Sequence, residues 1–270
     1  MPSIHQPKIA VILAAGLGLR LRSVIGEVPK GLLEIQGFGL LERSIQLLSF
    51  SGITKFFVVT GFQYQILENR LREQVRGTHL DFTHNQQYAS SGSMESLAMM
   101  KNEVQEDFLL LESDLIYEHR ALKLLLESGQ PDTVLTSGQT NSKDEVWIYG
   151  EPRSLERELL EIGRIRYINK QPCPQFALCG ELVGISWLSA EMFETMCGYH
   201  AANKPRTLQY HYEENISDLS AEREISYLKI PDLVWAEIDM GSHYQRVLNE
   251  VYPRIQAREK SEVSTKLAWS

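Results

Sequence analysis

An apolar run that ends abruptly in a glycine loop constrains the start of the chain. Ile9 to Ala14 reads Ile-Ala-Val-Ile-Leu-Ala, and Gly16, Gly18 and Arg20 follow directly. A continuous apolar run of this length is typical of a strand that is buried on both faces, as in a parallel sheet. Glycines directly after such a strand let the main chain approach an anion and direct several N–H groups at it. The chain is therefore predicted to be an α/β protein with a phosphate-binding loop after its first strand.

Two cations distinguish this loop from other glycine turns. Leu21 stands where a dinucleotide fingerprint requires a third glycine, and the Gly-Lys-Ser/Thr of a P-loop is absent. Arg20 and Lys30, the latter within Val28-Pro-Lys-Gly-Leu-Leu33, instead supply the positive charge that a polyphosphate attracts. The alternative is a glycine turn that only joins a strand to a helix. Such a turn requires neither the arginine nor the Pro-Lys pair.

Composition limits the classes of partner. The 270-residue chain has 35 acidic and 27 basic residues and a formal charge of -8, so a nucleic-acid backbone is repelled on average. Cys173, Cys179 and Cys197 form no Cys-x-x-Cys pair and are too few for a disulfide framework, which favours a reducing compartment. No signal-peptide pattern is visible, and no apolar run approaches the roughly 18 residues that span a bilayer. We expect a cytoplasmic protein without a nucleic-acid or membrane partner.

Apolar periodicity predicts alternating strands and helices through the first half of the chain. This alternation is typical of a mostly parallel sheet with right-handed crossovers and helices on both faces. Ligands of such sheets bind beyond the carboxyl ends of the strands. The predicted strands are 9–14, 55–60, 80–84 and 107–112, and the predicted helices are 40–50, 63–75 and 93–101.

The second half changes character. Its short strand-like runs lack long helices between them, which indicates a smaller, mixed-strand region. We expect one domain over residues 1–257, with a nucleotide-binding half of about 1–130 and an acceptor-binding part of about 131–240. Residues 258–270 are predicted to be a frayed tail or a linker to a fused or partner domain. The predicted strands are 133–137, 146–150, 159–162, 166–168, 178–187 and 234–237, and the predicted helices are 189–197, 207–219 and 242–256.

The glycine loop and the Pro-Lys segment together form a two-part pattern. Leu13-Ala-Ala-Gly-x-Gly-x-Arg-Leu21, followed by Pro29-Lys-x-Leu-Leu33, resembles the signature of nucleotidyltransferases that join a nucleoside triphosphate to a phosphorylated small molecule. Leu19 departs from this pattern, because many members carry Thr or Ser after the second glycine. The resemblance implies a Rossmann-like nucleotidyltransferase fold with catalytic Arg20 and Lys30. It also implies nucleotide binding by Ala14, Ala15, Gly16 and Gly18.

Two aspartates stand where this resemblance places metal ligands. Asp114 follows the apolar strand in Leu111-Glu-Ser-Asp-Leu115, and Asp239 follows the late strand in Trp235-Ala-Glu-Ile-Asp239. Paired carboxylates at strand ends are the usual protein ligands of Mg²⁺, which completes its shell with water and phosphate oxygens. Either aspartate alone would be interpreted as a helix cap. Together they predict a Mg²⁺ site.

The segment from Asn85 to Leu97, Asn-Gln-Gln-Tyr-Ala-Ser-Ser-Gly-Ser-Met-Glu-Ser-Leu, lies where the resemblance places base recognition. Gly92 would let the main chain reach the base edge, Ser93 can donate or accept a hydrogen bond, and Gln87 is a further candidate. The alternative is an ordinary polar loop with a serine cap. The layout resembles cytidylyltransferases that load phosphocholine or a phosphonate. Its Gly-Ser-Met-Glu-Ser-Leu run is similar to that of the 2-aminoethylphosphonate cytidylyltransferases.

One local comparison predicts the acceptor. Phosphocholine enzymes of this kind place a tryptophan before the strand that ends in Tyr-Gly, whereas this chain has Asp144 and Glu145 there. An aromatic face suits a quaternary ammonium, while carboxylates suit a primary ammonium with three N–H donors. Lys170 matches the place where related sugar-nucleotide enzymes hold the acceptor phosphate. Glu213 or Glu214 is a secondary candidate for the amine, with Glu181 as a further alternative. Solvated surface side chains are the alternative at these positions.

These expectations combine into one reaction. CTP and 2-aminoethylphosphonate would give CMP-2-aminoethylphosphonate and pyrophosphate in the presence of Mg²⁺. The attacking oxygen is already anionic, so we expect no general base and expect Mg²⁺, Lys30 and Arg20 to neutralise charge at the α-phosphate. One alternative is phosphocholine as acceptor, with CDP-choline as product. Another is a non-catalytic nucleotide sensor on the same fold, against which the presence of both Asp114 and Asp239 argues.

Overall fold

The fold is built on a nine-stranded sheet. The computed structural model describes residues 6–22, 26–156 and 160–268. The strands in chain order are β1 (Ile9–Ala14), β2 (Glu34–Ile35), β3 (Phe38–Gly39), β4 (Lys55–Thr60), β5 (His79–His84), β6 (Phe108–Glu112), β7 (Leu115–Tyr117), β8 (Thr133–Ser137), β9 (Trp147–Glu156), β10 (Leu160–Asn169), β11 (Ala177–Leu188), β12 (Ser226–Ile230) and β13 (Trp235–Glu237). The order in the large sheet is β5-β4-β1-β6-β11-β8-β12-β10-β9, and β11 also pairs with β9. Two short ladders, β2–β3 and β7–β13, flank it.

Nine α-helices are present among the described residues. Their bounds are α1 (Leu40–Phe50), α2 (Tyr64–Gln74), α3 (Ser93–Ala98), α4 (Arg120–Ser128), α5 (Ala190–Ala202), α6 (Lys204–Thr207), α7 (Tyr212–Leu219), α8 (Gly241–Arg246) and α9 (Tyr252–Ala268). A π-helical segment, Val247–Val251, joins α8 to α9. Within the described part of the chain, no helix is long and apolar enough to span a membrane.

The first half of the sheet is parallel, and its inner strands β1, β4 and β6 are buried on both faces. β1 pairs in parallel with β4 and β6, and β4 pairs in parallel with β5. Ala10 and Ile12 point into one hydrophobic cluster, while Val11 and Leu13 point into a second cluster on the opposite face. Helices supply both clusters, so β1 needs no polar position. The predicted Rossmann-like α/β fold, with helices on both faces of the sheet, is confirmed.

The second half of the sheet is mixed, as predicted. β11 pairs antiparallel with β6, β8 and β9, whereas β12 inserts parallel to β8 and antiparallel to β10. The register of β11 shifts between Leu182 and Ser186. Gly184 lies in this bulge with φ +82°, a conformation that residues with a Cβ rarely adopt. A Cβ at Gly184 would also lie 3.0 Å from the carboxyl of Glu112.

Several predicted elements have different bounds in the structure. The helix predicted over 93–101 ends at Ala98, and the strands predicted at 159–162 and 166–168 are one bulged strand, β10. Leu159 lies outside the described residues. The helix predicted over 207–219 begins only at Tyr212, as α7; α6 ends at Thr207, and the main chain between the two helices packs against Gly92. Strands β2, β3, β7 and β12 and helix α4 were not predicted.

The closing helix continues well past Gln256. Residues 258–268, predicted as a frayed tail or linker, extend α9 to Ala268, and residues 269–270 lie outside the described part. Arg258 holds this helix to the body: its Nη1 donates to Glu118 Oε1 at 3.0 Å, and its Nη2 donates to Asp232 Oδ2 at 3.1 Å. Glu259 accepts a 2.8 Å hydrogen bond from Arg43 on α1. The start of the predicted tail is therefore anchored by ion pairs.

Candidate active site

A cavity of about 380 Å³ opens beyond the carboxyl ends of β1 and β6, where the sheet topology places ligands. Most of the predicted site residues line it: Ala14, Ala15, Gly16, Arg20, Lys30, Gly92, Ser93, Asp114, Asp144, Glu145, Lys170, Glu213 and Asp239. A Cβ added at Gly16 would meet nothing within 4 Å, so the loop main chain is open to a ligand there. The fold thus brings together residues from both halves of the chain.

Gly18 and Gln87 lie outside this lining. Gly18 has φ +60° and its carbonyl accepts a 3.0 Å hydrogen bond from the Leu21 N–H, so it turns the loop toward Arg20. The side chain of Gln87 is exposed, while its N–H donates to Asn85 Oδ1 at 2.8 Å. Gln87 therefore shapes the 85–92 loop through its main chain. Its predicted contact with the nucleotide stays a prediction.

Lys30 links the two predicted metal ligands. Its Nζ donates to Asp114 Oδ2 at 2.8 Å and also to Asp239 Oδ1. The short ladder β7–β13 brings the aspartates together, because the Ile238 N–H donates to the Asp114 carbonyl at 3.0 Å. Burial alone would lower the pKa of Lys30, but the charges of Asp114 and Asp239 outweigh this and raise it. The lysine is therefore a fixed ammonium at the inner end of the cavity.

Arg20 and Lys170 form a second charged group around Asp144. Arg20 Nη1 lies 2.7 Å from Asp144 Oδ2, Arg20 Nη2 lies 2.9 Å from Asp239 Oδ2, and Lys170 pairs with Asp144 Oδ1. Burial opposes ionisation of Asp144, yet hydrogen bonds from Lys170 and Arg20 lower its pKa. Both oxygens of Asp144 are therefore neutralised within the protein. This pairing disfavours Asp144 as the ligand of an acceptor ammonium.

A cluster of carboxylates fits a divalent cation. One oxygen from each of Glu112, Asp114 and Glu237 lies within 4.8 Å of the other two. Asp239 is linked to Asp114 by Lys30, which forms an ion pair with both aspartates. Carboxylate oxygens are the preferred protein ligands of Mg²⁺, so this group has the donor chemistry that such an ion requires. Glu112 and Glu237 end β6 and β13, and neither was predicted as a ligand.

The pKa values of this cluster indicate a local excess of negative charge. Burial raises the pKa of Glu112 to about 8, and the charges of Glu213 and Asp114 add to this effect. Burial, followed by the charges of Asp114 and Glu112, also raises the pKa of Glu237 well above its usual range. Burial opposes ionisation of Asp239, but the Lys30 charge outweighs it and lowers the pKa to about 2. A cation bound among these carboxylates would stabilise their ionised forms.

Packing of the main chain requires a glycine at position 92, and the predicted approach of a base there stays a prediction. A Cβ there would lie 2.0 Å from the Tyr210 carbonyl oxygen and 2.5 Å from that of Gln209. The Gly92 N–H already donates to the Leu208 carbonyl at 2.8 Å. Ser93 Oγ similarly accepts from the Tyr212 N–H at 3.0 Å. These residues line the cavity while joining the 85–98 segment to the chain around α6 and α7.

The acceptor side of the cavity contains three further glutamates. Glu145 is half-buried and accepts from the Lys143 N–H at 3.2 Å, and Glu213 has a buried Oε2 without a hydrogen-bond partner among the described residues. Burial, opposed by the charge of His211, raises the pKa of Glu213. Glu181, which the sequence offered only as a reserve candidate for the amine, is 2% exposed and lines the same cavity.

Comparison with known proteins identifies the family. The model of the MobA-like NTP transferase domain matches residues 10–175, the segment that contains the glycine loop, Lys30, Asp114 and Lys170. The chain belongs to this family. Its assignment to the nucleotidyltransferases, predicted from the two-part signature, is thereby confirmed. The division into a nucleotide-binding half and an acceptor-binding part stays a prediction.

Three curated relatives share part of the chain. The UTP–glucose-1-phosphate uridylyltransferase AglF of Haloferax volcanii is 32% identical over 40% of this chain and 44% of its own. The CMP-5'-(3-aminopropyl)phosphonate synthase of Streptomyces rubellomurinus is 25% identical over 48% of this chain and 21% of its own. The choline-phosphate cytidylyltransferase of Streptococcus pneumoniae is 29% identical over 41% of this chain and 46% of its own. The chain spans less than half the length of each relative.

Two solved structures share the fold. The inositol-1-phosphate CTP transferase from T. maritima superposes with a TM-score of 0.75 at 19% identity, covering 93% of this chain and 98% of that one. The CTP:phosphocholine cytidylyltransferase from Streptococcus pneumoniae gives a TM-score of 0.66 at 19% identity, covering 90% of this chain and 98% of that one. At this identity the likeness concerns the fold alone.

Proposed function

We propose that this protein transfers CMP from CTP to 2-aminoethylphosphonate with the help of Mg²⁺, giving CMP-2-aminoethylphosphonate and pyrophosphate. The observation that carries the proposal is the carboxylate-lined acceptor side of the cavity, at Glu145, Glu181 and Glu213. A primary ammonium can donate three hydrogen bonds to such a wall. The aminopropylphosphonate synthase among the relatives supports an acceptor of this chemical class.

The reaction needs an anionic oxygen, a neutralised α-phosphate and a stabilised leaving group. An oxygen of the phosphonate forms a bond to the α-phosphorus of CTP, and the bond between that phosphorus and the pyrophosphate oxygen breaks. Lys30 and Arg20 stand at the glycine loop, where they would neutralise charge that develops on the phosphates. The acceptor oxygen enters as an anion, so no side chain has to remove a proton. Residues on this chain act by binding and alignment.

Glu112, Asp114, Glu237 and Asp239 would hold the Mg²⁺ ion in this proposal. The ion would supply charge neutralisation to the triphosphate when it is bound. Asp114 and Asp239 were assigned from the sequence, and Lys30 pairs with both; the two glutamates are added because they cluster with Asp114. The raised pKa of Glu112, about 8, supports a cation site, because no cation among the described residues pairs with that carboxyl.

Phosphocholine is the second candidate acceptor. The choline-phosphate cytidylyltransferase among the relatives favours it, and the ring of Trp235 lines the cavity. However, Trp235 is 5% exposed and donates its indole N–H to Ser137 Oγ at 2.8 Å. A quaternary ammonium binds best over an accessible aromatic face, and it cannot donate to the glutamates. The carboxylate wall therefore favours the primary amine.

The test is pyrophosphate release from each nucleoside triphosphate with each acceptor. We expect turnover with CTP and 2-aminoethylphosphonate to be at least about tenfold above that with UTP as donor or with phosphocholine as acceptor. Asp114→Asn should lower kcat/KM by at least about a hundredfold, because a lost metal ligand costs more than one charged hydrogen bond. Glu103→Gln, at an exposed position outside the cavity, is the matched control. Binding of CTP without pyrophosphate release would instead indicate a nucleotide sensor.

A further inference from the structure

Glu181 is held in one orientation by a single neighbouring residue. The Thr140 N–H donates to Glu181 Oε2 at 2.7 Å, and the Thr140 hydroxyl donates to Oε1 at 2.8 Å. Each carboxylate oxygen therefore has one fixed donor and retains capacity for another hydrogen bond. Glu181 is 2% exposed, yet it lines the cavity together with Thr140 and Glu145. The side chain is buried against the protein and directed at the ligand space.

The negative charge of Glu181 has no matching cation in the described part of the chain. No lysine, arginine or histidine nitrogen there lies within 4.0 Å of its carboxylate; the charges that influence it most are Glu145 and Arg246. Arg246 donates instead to the Thr140 carbonyl at 3.0 Å. Burial raises the pKa of the Glu181 carboxyl to about 7. A buried carboxylate with neutral donors alone is unfavourable unless a ligand brings the compensating positive charge.

The other carboxylates of the cavity are less suited to an incoming ammonium. Asp144 is already neutralised by Arg20 and Lys170. Burial raises the pKa of Glu213, but the positive charges of His211 and Lys170 act against this effect, so its carboxyl already has cationic neighbours. Glu145 is half-buried, so water screens its charge more than that of Glu181. Glu181 combines burial, fixed orientation and an unpaired charge.

We propose that Glu181 binds the ammonium group of the acceptor and determines the preference for a primary amine, with Thr140 as its positioning residue. This inference rests on the proposed cytidylyl transfer. The ligand class is a small alkyl phosphonate or phosphate that carries a primary ammonium. An acceptor in which a methyl group replaces the ammonium leaves the Glu181 carboxylate buried and uncompensated, so it is rejected.

The experiment compares 2-aminoethylphosphonate with n-propylphosphonate, in which a methyl group replaces the ammonium. The ratio of their kcat/KM values with CTP is measured in the natural protein and in Glu181→Gln, Glu145→Gln and the exposed control Glu222→Gln. We expect Glu181→Gln to lower this ratio by at least about tenfold, through KM for the amine and not through KM for CTP. Glu222→Gln should keep the natural ratio. Thr140→Val should lower the ratio in part, and Thr140→Ser should restore it.

The possible outcomes distinguish a failure of the inference about Glu181 from a failure of the proposed cytidylyl transfer. If the natural protein turns over neither acceptor with CTP, the proposed cytidylyl transfer fails. If it prefers the amine and Glu181→Gln keeps that preference while remaining folded by circular dichroism, the function stands and the inference is wrong. A ratio that falls in Glu145→Gln and not in Glu181→Gln also overturns it, because the ammonium then binds at the neighbouring glutamate.

Discussion

Replacement of Glu181 by glutamine should make the protein more stable at alkaline pH. Burial raises the pKa of this carboxyl from its usual 4.5 to about 7. Between these two pH values the folded protein binds more protons at Glu181 than the unfolded chain does, so stability falls as the pH rises through the window. The loss is complete above about pH 7. At about 1.36 kcal/mol for each pH unit, its upper bound is about 3 kcal/mol.

Glutamine does not ionise, so the Glu181→Gln variant avoids this loss of stability but gives up one hydrogen bond. Its amide has one oxygen, so it can accept only one of the two hydrogen bonds that Thr140 donates to Glu181, which costs about 1 kcal/mol. We therefore expect the variant to be about 1 to 2 kcal/mol more stable than the natural protein at pH 8. Near pH 4.5 the natural carboxyl is largely protonated in the fold, so the variant should be equal or about 1 kcal/mol less stable.

Urea denaturation followed by circular dichroism measures both differences. The free energies of unfolding are compared at pH 4.5 and pH 8 in the same ionic strength and without nucleotide. The exposed Glu222→Gln control should differ from the natural protein by less than about 0.5 kcal/mol at both pH values. An effect of Glu181→Gln that is the same at both pH values would refute the reasoning, since a buried, unpaired carboxyl must titrate differently in the two states. A gain in stability with a loss of amine selectivity would identify Glu181 as a residue kept for binding.

Two further substitutions test other parts of the site. Lys30→Met removes the ammonium between Asp114 and Asp239 and should cost about 3 kcal/mol of stability in the absence of divalent cations. In thermal unfolding, Mg²⁺ should stabilise this variant more than it stabilises the natural protein. Equal stabilisation of the two proteins by Mg²⁺ would argue against a cation site among these carboxylates. Gly92→Val should destabilise the ligand-free protein by at least about 3 kcal/mol, because its Cβ would lie 2.0 Å from the Tyr210 carbonyl oxygen. Urea denaturation measures this loss. Normal stability with a selective loss of CTP affinity would contradict the packing argument and would support the role in base recognition that the sequence predicts.

The parallel half of the fold could be predicted because its signal is local. Strands β1, β4 and β6 are apolar runs that need no information about their partners, and the glycine loop follows β1 directly. Strand β12 was missed because Ser226 to Ile230 is a short run of mixed polarity that is buried by its insertion between β8 and β10. Helix α4 has buried leucines at helical spacing and ends before Gly129, a signal that the sequence analysis did not use.

The sequence predicted those site residues that belong to a recognisable motif. It did not predict the residues that reach the site only through the pairing of distant strands. Glu112 and Glu237 are the last residues of two strands, and nothing in their local sequence separates them from surface glutamates. They meet because β7 and β13 pair and because the bulge at Gly184 lets β11 pass close to Glu112. Likewise, Glu181 enters the site through its hydrogen bonds with Thr140, forty-one positions earlier in the chain. Such long-range contacts are not encoded in spacing or composition.

The pairing of β7 with β13 sets the order in which this site can be made during synthesis. Asp114 and Asp239 are separated by most of the second half of the chain, and their contact requires the β13 strand that precedes Asp239. The parallel strands β1, β4, β5 and β6 are all encoded earlier and can pair as the chain leaves the ribosome. Until β13 emerges, Glu237 and Asp239 are absent, so the carboxylate cluster is limited to Glu112 and Asp114. The mutual repulsion of the carboxylates is thus deferred to the last steps of folding, when most of the sheet is already in place to resist it.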